Sequence, residues 1–412
     1  MAACSAKKEA QPPSIAFTNA TLIDGSGSAP IANAVMIVQN GNISAVGTKE
    51  NTPIPDNSTV IDLQGKFIIP GLINSHGHVG DVKGIEGGNY SYNNVIDNLS
   101  IYARYGITTV VSLGGDKKES EPLRAIHDST STQHARLYIA GEVINGKTPA
   151  EATTVVDSNK NMGVDWMKIR VDDNLGTSPK MTEDVYTAVI QRSHELGYKI
   201  ATHMYYLDDA KKLLAAGSDL MAHSVRDKPV DDEFITLIKE RKVCYCPTLT
   251  RELSTYVYGT TPDFFSDPFF TKEFDSVTVA PLKDPARQEQ IRNSKNGQTY
   301  RQQLPVAMAN LKTLSDQGIP IAFGTDSGIP TRFFGYFEHV EMAMMADAGM
   351  SPIQILVSAT KNAADCMGLK KIGWITPGYK ADFIVLSADP LTDIKNTRTI
   401  QSVWIGGEEV KK

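Results

Sequence analysis

The stretch Pro70-Gly71-Leu72-Ile73-Asn74-Ser75-His76-Gly77-His78 decides the fold prediction for this chain. Its apolar residues are typical of a buried β-strand, and the strand ends in two histidines separated by one glycine. Side chains two residues apart point to the same face of a strand, so both imidazoles can reach one metal ion. The stretch therefore predicts a metal site at the end of a buried strand.

Four further residues that can bind metals or protons end short apolar runs: Lys168, His203, His223 and Asp326. Helical patterns separate these runs, for example at 182–196 and 207–216. Strands that alternate with helices form parallel sheets. We predict eight strands, over Ile68–His78, Thr108–Leu113, Arg136–Ala140, Trp166–Val171, Lys199–His203, Asp219–His223, Val243–Pro247 and Pro320–Asp326. Eight is the number that closes a (β/α)8 TIM barrel, whose active site lies at the C-terminal ends of its strands.

The two ends of the chain have a different pattern. Short alternating apolar runs, punctuated by Gly, Asn and Pro, fill residues 15–70 and the last forty residues. This pattern is typical of a β-sheet. The predicted fold class is therefore α/β, a TIM barrel with a small β-sandwich domain built from both chain ends. We predict a disordered tail at 1–14, a composite β-sandwich at 15–69 and 372–412, and a metal-dependent catalytic barrel at 70–371.

Composition narrows the class of partner. The chain has 412 residues and a net charge of −6, with no basic run, which argues against nucleic-acid binding and favours a small-molecule substrate. No stretch approaches the roughly 18 apolar residues needed to cross a bilayer. The long connection at 250–300 is rich in Phe, Tyr, Asp and Pro, and two interpretations stay open. It can cover the substrate, or it can pack on its own aromatic residues.

The cysteines suggest two separate expectations. Cys244, Cys246 and Cys366 are expected to be buried thiols without a disulfide framework. Cys4 lies in a polar tail after Met1-Ala2-Ala3, which resembles the end of a bacterial lipoprotein signal without its apolar part. A lipid anchor at Cys4 would place the enzyme in the cell envelope or periplasm. An ordinary disordered N-terminus and a cytoplasmic enzyme are the alternative.

Beyond these patterns, the chain resembles the amidohydrolase superfamily, in the branch of Xaa-Pro dipeptidases (prolidases) and imidazolonepropionase-like proteins. The resemblance covers nearly the whole chain. Besides the Pro-Gly-Leu-Ile…His-Gly-His stretch, it rests on three segments: Val60-Ile61-Asp62-Leu63-Gln64-Gly65-Lys66, Phe323-Gly324-Thr325-Asp326-Ser327 and Pro377-Gly378-Tyr379-Lys380-Ala381-Asp382-Phe383.

The resemblance implies a centre with two divalent metal ions. It assigns His76 and His78 to the more buried metal, His203 and His223 to the more exposed one, and Asp326 to the first metal and the attacking water. It also implies that Lys168 reacts with carbon dioxide and bridges the metals as a carbamate (N6-carboxylysine). Histidine and carboxylate ligands suit zinc, with manganese, iron or cobalt as alternatives.

The implied activity is hydrolysis of an amide-type C–N bond by a metal-bridging hydroxide. Asp326 is the expected catalytic residue, which takes the proton and passes it to the leaving group. N-acyl amino acids, dipeptides and carbamate-like compounds are the expected substrates. Ureas, lactones and organophosphates remain open, because 170–174 lacks the small, Gly-rich turn usual after the bridging lysine in the dipeptidases.

Three residues are candidates for substrate contact, and each has an alternative. Arg170 can hold a carboxylate or pair with Asp172 or Asp173. Tyr205 matches a tyrosine that contacts substrate in prolidase-like proteins, or it packs among other aromatic residues. Arg226 can contact substrate or lie in solvent.

Two rival functions stay open. A mononuclear cyclic-amide hydrolase or deaminase occurs in the same superfamily, although Tyr206 occupies the place where deaminases have a glutamate. A non-catalytic barrel is the third interpretation, and the complete set of ligand residues argues against it. We also expect a homo-oligomer.

Overall fold

The computed structural model describes residues 13–129 and 132–411. The tail with Cys4 lies outside these residues. The strands are β1 Ser14–Leu22, β2 Ile31–Gln39, β3 Asn42–Thr48, β4 Ser58–Asp62, β5 Phe67–Pro70, β6 Leu72–Gly77, β7 Ile107–Ser112, β8 Arg136–Ile139, β9 Met167–Arg170, β10 Ile200–His203, β11 Leu220–Ala222, β12 Cys244–Cys246, β13 Phe383–Leu386, β14 Ile400–Ile405 and β15 Glu408–Glu409.

The α-helices are α1 Tyr92–Arg104, α2 Glu121–Ala125, α3 Pro149–Met162, α4 Glu183–Glu195, α5 Leu207–Ala216, α6 Asp232–Arg241, α7 Leu249–Leu253, α8 Pro268–Thr271, α9 Ser276–Val279, α10 Pro285–Arg292, α11 Lys295–Asp316, α12 Tyr336–Asp347, α13 Pro352–Ser358 and α14 Lys361–Met367. Among the residues described, none of these helices combines the length and the apolar character that a bilayer span needs.

Strands from both chain ends form one sheet of eight strands. Seven follow one another in the order β15-β14-β13-β5-β1-β2-β3, and β4 pairs with β1 in parallel. The N-terminal part joins the C-terminal part where β5 pairs antiparallel with β13, from Phe383 opposite Pro70 to Leu386 opposite Phe67. The domain limits given above remain predictions.

This sheet bends so that distant strands face each other. In a flat sheet β1 and β14 would be about 14 Å apart, because two strands lie between them and neighbouring strands are separated by about 4.8 Å. The ring of Phe17 on β1 nevertheless lies 4.9 Å from the ring of Trp404 on β14 and 4.9 Å from that of Phe383 on β13, edge to face in both cases. These rings belong to an apolar core inside the bend.

Two parallel sheets contain the polar strand ends singled out in the sequence. One has the order β6-β7-β8 and the other β9-β10-β11-β12. Helices alternate with the strands of both sheets along the chain, as predicted for an α/β fold. The long first strand predicted over Ile68–His78 is interrupted at Gly71, so its first half, β5, joins the eight-stranded sheet instead.

The prediction of a regular eighth strand is wrong. Residues 320–327 form only isolated bridges, between Ile321 and Tyr245 and between Ser327 and Gly77. Further backbone hydrogen bonds run from the Ser75 amide to Phe323 (2.8 Å) and from the Ala322 amide to Tyr245 (2.9 Å). The segment therefore lies between β12 and β6, although its irregular backbone breaks the ladder. That irregularity includes a positive φ of 59° at Asp326.

The helices have clear end signals. The predicted helix at 207–216 is confirmed as α5, which ends at Gly217 with a φ of 107°, a conformation that favours glycine. The helix predicted at 182–196 is confirmed as α4, with Thr182 as the preceding residue. In α3, Thr148 accepts a hydrogen bond from the Glu151 amide, so the first turn is capped.

The connection at 250–300 is built of short helices, from α7 to the start of α11, rather than of open loop. Its phenylalanines pack on one another: the rings of Phe264 and Phe270 are 5.2 Å apart, and those of Phe264 and Phe265 are 5.1 Å apart. The interpretation that this segment packs on its own aromatic residues fits these contacts.

The expectation of isolated thiols is wrong for two cysteines. Cys244 at the start of β12 and Cys366 in α14 form a disulfide, while Cys246 is a buried free cysteine. The pair is separated by 122 residues in the sequence. Connectivity over such a distance cannot be deduced from cysteine spacing, because it depends on how the helix packs against the strand.

Replacing Cys244 by Ser should lower the free energy of unfolding by about 2–4 kcal/mol, because the unfolded chain would lose a long-range crosslink. Chemical denaturation with and without reductant measures this. The double variant Cys244→Ser/Cys366→Ser is the control and should lose no more than either single variant. If Cys244 and Cys366 both react with a thiol reagent in the unfolded, non-reduced protein, the crosslink is absent.

Candidate metal centre

The parallel strands bring the six predicted ligand residues to one place. His76 lies in β6 and His78 just after it, Lys168 lies in β9, and His203 ends β10. His223 directly follows β11, and Asp326 comes from the irregular segment beside β6. In parallel strands the C-terminal ends share one edge, which explains why residues far apart in sequence meet here.

Three of these residues form a compact donor group. His76, His78 and Asp326 each offer one ligand atom within 4.8 Å of the others. The Nε2 atom of His78 is 2.8 Å from Asp326 Oδ1, and the Nε2 atom of His76 is 3.6 Å from the same oxygen. A further donor, Lys168 Nζ, lies 3.1 Å from His76 Nε2.

The remaining two histidines extend this group. The ring centroid of His223 lies 4.6 Å from that of His76 and 4.2 Å from that of His203. The six residues therefore form one continuous cluster. All are buried except His78, whose side chain keeps 16% of its surface exposed.

Hydrogen bonds orient the imidazoles for metal binding. The Nδ1 atom of His78 bonds to the Gly114 carbonyl at 2.8 Å, and that of His223 bonds to Thr248 Oγ1 at 2.7 Å. His203 instead uses Nε2, which lies 2.7 Å from Asp172 Oδ2. Such contacts fix the orientation of a metal-binding histidine and leave its other nitrogen for the metal.

His76 is the most buried member of the group. Its Nδ1 atom has no hydrogen-bond partner among the residues that the structure describes. A buried ring nitrogen without a partner is costly unless something else binds the ring. Together with the three oriented rings, this atom shows that the donor set fits divalent metals.

Burial keeps these groups in the neutral forms that metal binding requires. It lowers the pKa of His203 to about 3 and holds the pKa values of His76 and His223 well below the usual range of histidine. Burial also lowers the pKa of Lys168 to about 8. At pH 7 about a tenth of the amine is therefore neutral, far more than for a lysine in water.

Asp326 stays ionised in the same surroundings. Burial alone would raise the pKa of Asp326, but Arg332 and the hydrogen bond to His78 outweigh it and hold that pKa well below its usual range. Arg332 donates from Nη1 to Asp326 Oδ2 and from Nε to Ser254 at 2.9 Å. Sequence reasoning missed Arg332, because nothing in its local pattern separates it from a surface arginine.

The backbone is unusual at three residues of the site. The φ angles of His223, Thr248 and Asp326 are 126°, 50° and 59°, in a region that non-glycine residues rarely adopt. Each such residue costs on the order of 1–3 kcal/mol, and strained backbone of this kind is concentrated at functional sites. His223 and Asp326 belong to the cluster, and Thr248 bonds to His223, so all three residues build the site.

Close packing fixes the position of His76. A methyl group at Gly324 would lie 2.9 Å from the backbone nitrogen of His76 and 2.6 Å from Cys246 Sγ. Only glycine allows the 320–327 segment to approach β6 this closely.

A buried carboxyl group accepts hydrogen bonds from the residues on either side of Asp326. Glu338 of α12 accepts hydrogen bonds from Asn74 (2.6 Å), Thr325 (2.7 Å) and Ser327 (2.5 Å). It thereby joins β6 to the two residues that flank Asp326. Burial raises the pKa of Glu338 to about 7. The sequence carried no signal for this contact, because Glu338 lies in an ordinary helical pattern.

The three predicted substrate residues lie in different surroundings. The side chain of Arg170 is 39% exposed, bonds to Asn174 and lies 3.6 Å from Asp172. It lines a cavity of about 610 Å³ between the segments that follow β8 and β9. Tyr205 is buried, donates to Gln303 and packs on Tyr206 with ring centroids 4.6 Å apart. Arg170 and Tyr205 therefore each bond to another protein side chain, and both lie close to His203 along the strands.

Arg226 is fully buried, so the alternative of a solvated arginine is wrong. Its Nε atom lies 2.6 Å from Glu252 Oε1, and its Nη1 atom donates to the carbonyl of Met204 at 3.1 Å. A direct substrate contact by Arg226 remains a prediction.

Comparison with known proteins identifies the family. The model of the Amidohydrolase family matches residues 67–410 of the chain. The chain belongs to the amidohydrolase family. The family predicted from the sequence motifs is therefore confirmed.

Individual relatives are distant. An imidazolonepropionase of Streptomyces griseus is 21% identical over 96% of this amidohydrolase and 97% of that protein. An uncharacterized protein of Mycobacterium tuberculosis is 26% identical over 49% of the chain, and the match spans only 55% of the mycobacterial protein. The solved structure of a Xaa-Pro dipeptidase with bound methionine shares the fold with a TM-score of 0.74, at 21% identity over 97% of this chain and 100% of the other.

Replacing Asp172 by Asn should weaken metal binding by roughly 10- to 100-fold, because His203 would lose the carboxylate that orients it. Titration of the metal-free protein against a coloured chelator measures this. Asp173→Asn is the matched control and should bind metal like the unaltered protein. Equal metal affinity of the Asp172 variant would show that the carboxylate does not orient the ring.

Proposed function

We propose that this protein is a metal-dependent hydrolase that cleaves an amide-type C–N bond in a small molecule. The observation that carries the proposal is the buried cluster of four imidazoles, one amine and one carboxylate, in which three rings are oriented by protein hydrogen bonds. Family membership and the full-length similarity to an imidazolonepropionase support the same class of reaction.

We further propose that the parallel strands form a closed (β/α)8 barrel beside a β-sandwich. Bridges between Ile144 and Ile169, Tyr245 and Ile321, and Gly77 and Ser327 join the two parallel sheets and the 320–327 segment in a ring. The bent eight-stranded sheet, with Phe17 against Trp404, supports the sandwich. In such a barrel the cluster would lie at the C-terminal mouth.

Two divalent metals, zinc by preference, are the cofactors that we propose. His76, His78 and Asp326 would hold one, His203 and His223 the other, and Lys168 as a carbamate would bridge them; the 3.1 Å distance from Lys168 Nζ to His76 Nε2 supports this arrangement. When bound, such metals would supply an acidified water and polarise a carbonyl group.

The chain's own residues would then move the proton. Asp326 is held ionised by Arg332 and His78, so it can accept a proton at Oδ1 or Oδ2 and release it to a leaving nitrogen. Glu338, through Thr325 and Ser327, would keep this carboxylate in position. The buried surroundings would exclude bulk water from the reacting groups.

We propose N-acyl amino acids, dipeptides or carbamate-like compounds as substrates. Arg170, which lines the 610 Å³ cavity, supports a substrate with an acidic group, and the cavity has the size of a small-molecule site. Tyr205 would contact the substrate from the other side, which requires its bond to Gln303 to open.

A mononuclear cyclic-amide hydrolase or deaminase is the second candidate. It is favoured by the compact group of His76, His78 and Asp326, which could hold one metal alone, and by the imidazolonepropionase relative. Metal content decides between the two candidates, because the first needs two equivalents per chain.

The proposed location follows from cysteine chemistry. The Cys244–Cys366 disulfide supports an oxidising compartment such as the periplasm. A lipid anchor at Cys4 would agree with this location, and mass analysis of protein made from the full gene would test it. Homo-oligomer formation is likewise a proposal, which light scattering in solution would test.

Replacing Asp326 by Asn should lower kcat by roughly 100- to 10,000-fold, because the variant cannot accept the proton. The measurement is kcat on the best substrate from a panel of N-acyl amino acids, dipeptides and carbamates, with metal content determined in parallel. Asp173→Asn is the control for a lost carboxylate outside the cluster. Unchanged turnover of the Asp326 variant would refute its role.

Replacing Lys168 by Ala should reduce the metal content from two equivalents to one, because the bridging oxygens would be missing. Elemental analysis of the purified protein measures this, and added acetate or propionate should restore the second metal. The exposed Lys199 provides the control variant Lys199→Ala. Two equivalents in the Lys168 variant without added carboxylate would argue against the carbamate.

A further inference from the structure

A buried charge cluster lies beside the metal centre. Arg226 Nε and Arg251 Nη1 both contact the same oxygen, Glu252 Oε1, at 2.6 and 2.8 Å. The side chains of Arg226 and Glu252 are 0% and 1% exposed, and that of Arg251 is 10% exposed. Two guanidinium groups therefore share one carboxylate, and Asp172, which is also ionised, supplies a second negative charge near Arg226.

Arg226 is held in place by the protein itself. Its Nη1 atom donates to the carbonyls of Met204 and Ser224, and its guanidinium lies 4.7 Å from the ring centre of Tyr205. Its Nε and Nη2 atoms have no hydrogen-bond partner within the described part of the chain, although Nε lies in ion-pair distance of Glu252. A buried cation is costly unless it is paired, and Glu252 and Asp172 together pair Arg226.

Arg251 is the accessible member of this cluster. Its guanidinium stacks 4.5 Å from the ring centre of Tyr300, and within residues 13–129 and 132–411 its Nη2 atom makes only a long 3.5 Å contact to the Tyr300 hydroxyl. That edge of the guanidinium is therefore weakly engaged. Arg226, by contrast, cannot be reached from solvent.

The backbone places Arg251 next to the proposed ligands. It lies in α7, which begins directly after Thr248, the partner of His223. The neighbouring Thr250 donates to the carbonyl of Thr325, the residue before Asp326. Burial lowers the pKa of His203 most, and the positive charge of Arg251 lowers it further, as expected for close groups.

We infer that Arg251 determines specificity by binding a carboxylate of the substrate next to the bond that is cleaved. This inference rests on the proposed hydrolase and narrows its substrates to those with a free carboxylate. The guanidinium matches a carboxylate because its planar N–H groups can donate to both oxygens. Arg226 and Tyr300 act as positioning residues: Arg226 holds Glu252, and Tyr300 supports the plane of Arg251.

The test compares substrates that differ only in this charge. N-benzoyl amino acids with a free carboxylate are assayed beside their primary amides, on the metal-loaded protein and on Arg251→Gln. We expect the unaltered enzyme to prefer the acids and the variant to lose roughly 10- to 100-fold of kcat/KM on acids, mainly through KM. Activity on the amides should change much less.

Two further variants serve as controls. Arg301→Gln removes an exposed arginine of α11 and should leave the acid-to-amide ratio unchanged. Arg251→Lys keeps the charge without the planar pair of donors and should recover part of the preference for acids. Thermal melting and metal content of each variant separate a specificity change from a folding defect.

The inference is overturned if the unaltered enzyme does not favour acids over amides, or if Arg251→Gln keeps that preference. Turnover of both substrate sets at equal rates would leave the hydrolase proposal standing while Arg251 loses its role. If no compound is hydrolysed, the hydrolase proposal fails, and calorimetric binding of the same acid and amide pairs to both proteins still decides the role of Arg251.

Discussion

The structure depends on one constraint: four imidazoles, an amine and a carboxylate must be buried within contact of one another. In water at neutral pH the amine would be charged, and a partly protonated set of rings would repel it. Burial lowers the pKa values of His76, His203, His223 and Lys168, which keeps the three rings neutral and makes the neutral amine easier to form. Such a buried cluster contributes little to the stability of the folded state, so the rest of the fold must hold the cluster together.

The surrounding protein holds it in two ways. Hydrogen bonds to Gly114, Asp172 and Thr248 fix three rings, and Glu338 ties the residues around Asp326 to β6. The strained backbone at His223, Thr248 and Asp326 is the cost of turning these side chains inward. A large apolar core from the helices and parallel strands offsets that cost.

The charged residues beside the metal centre are paired in a different way. Asp326 is paired with Arg332, whereas Glu252 is shared by Arg226 and Arg251. In the described part of the chain the Nη2 atom of Arg251 makes a long contact to Tyr300, and a ligand carboxylate would bind at this edge of the guanidinium. The long connection at 250–300 contributes to this place, because it supplies both Arg251 and Tyr300.

The sequence by itself determined the six clustered residues, the alternation of strands and helices, and helices α4 and α5, because these depend on residue chemistry and on local periodicity. Only the tertiary structure decided that Cys244 meets Cys366, that 320–327 is not a regular strand, that Asp172 holds His203, and that Arg251 rather than Arg226 is accessible. These features join segments far apart in the chain or depend on which side of a side chain is covered. The spacing of neighbouring residues does not encode long-range contacts or burial, because both arise from how whole elements pack.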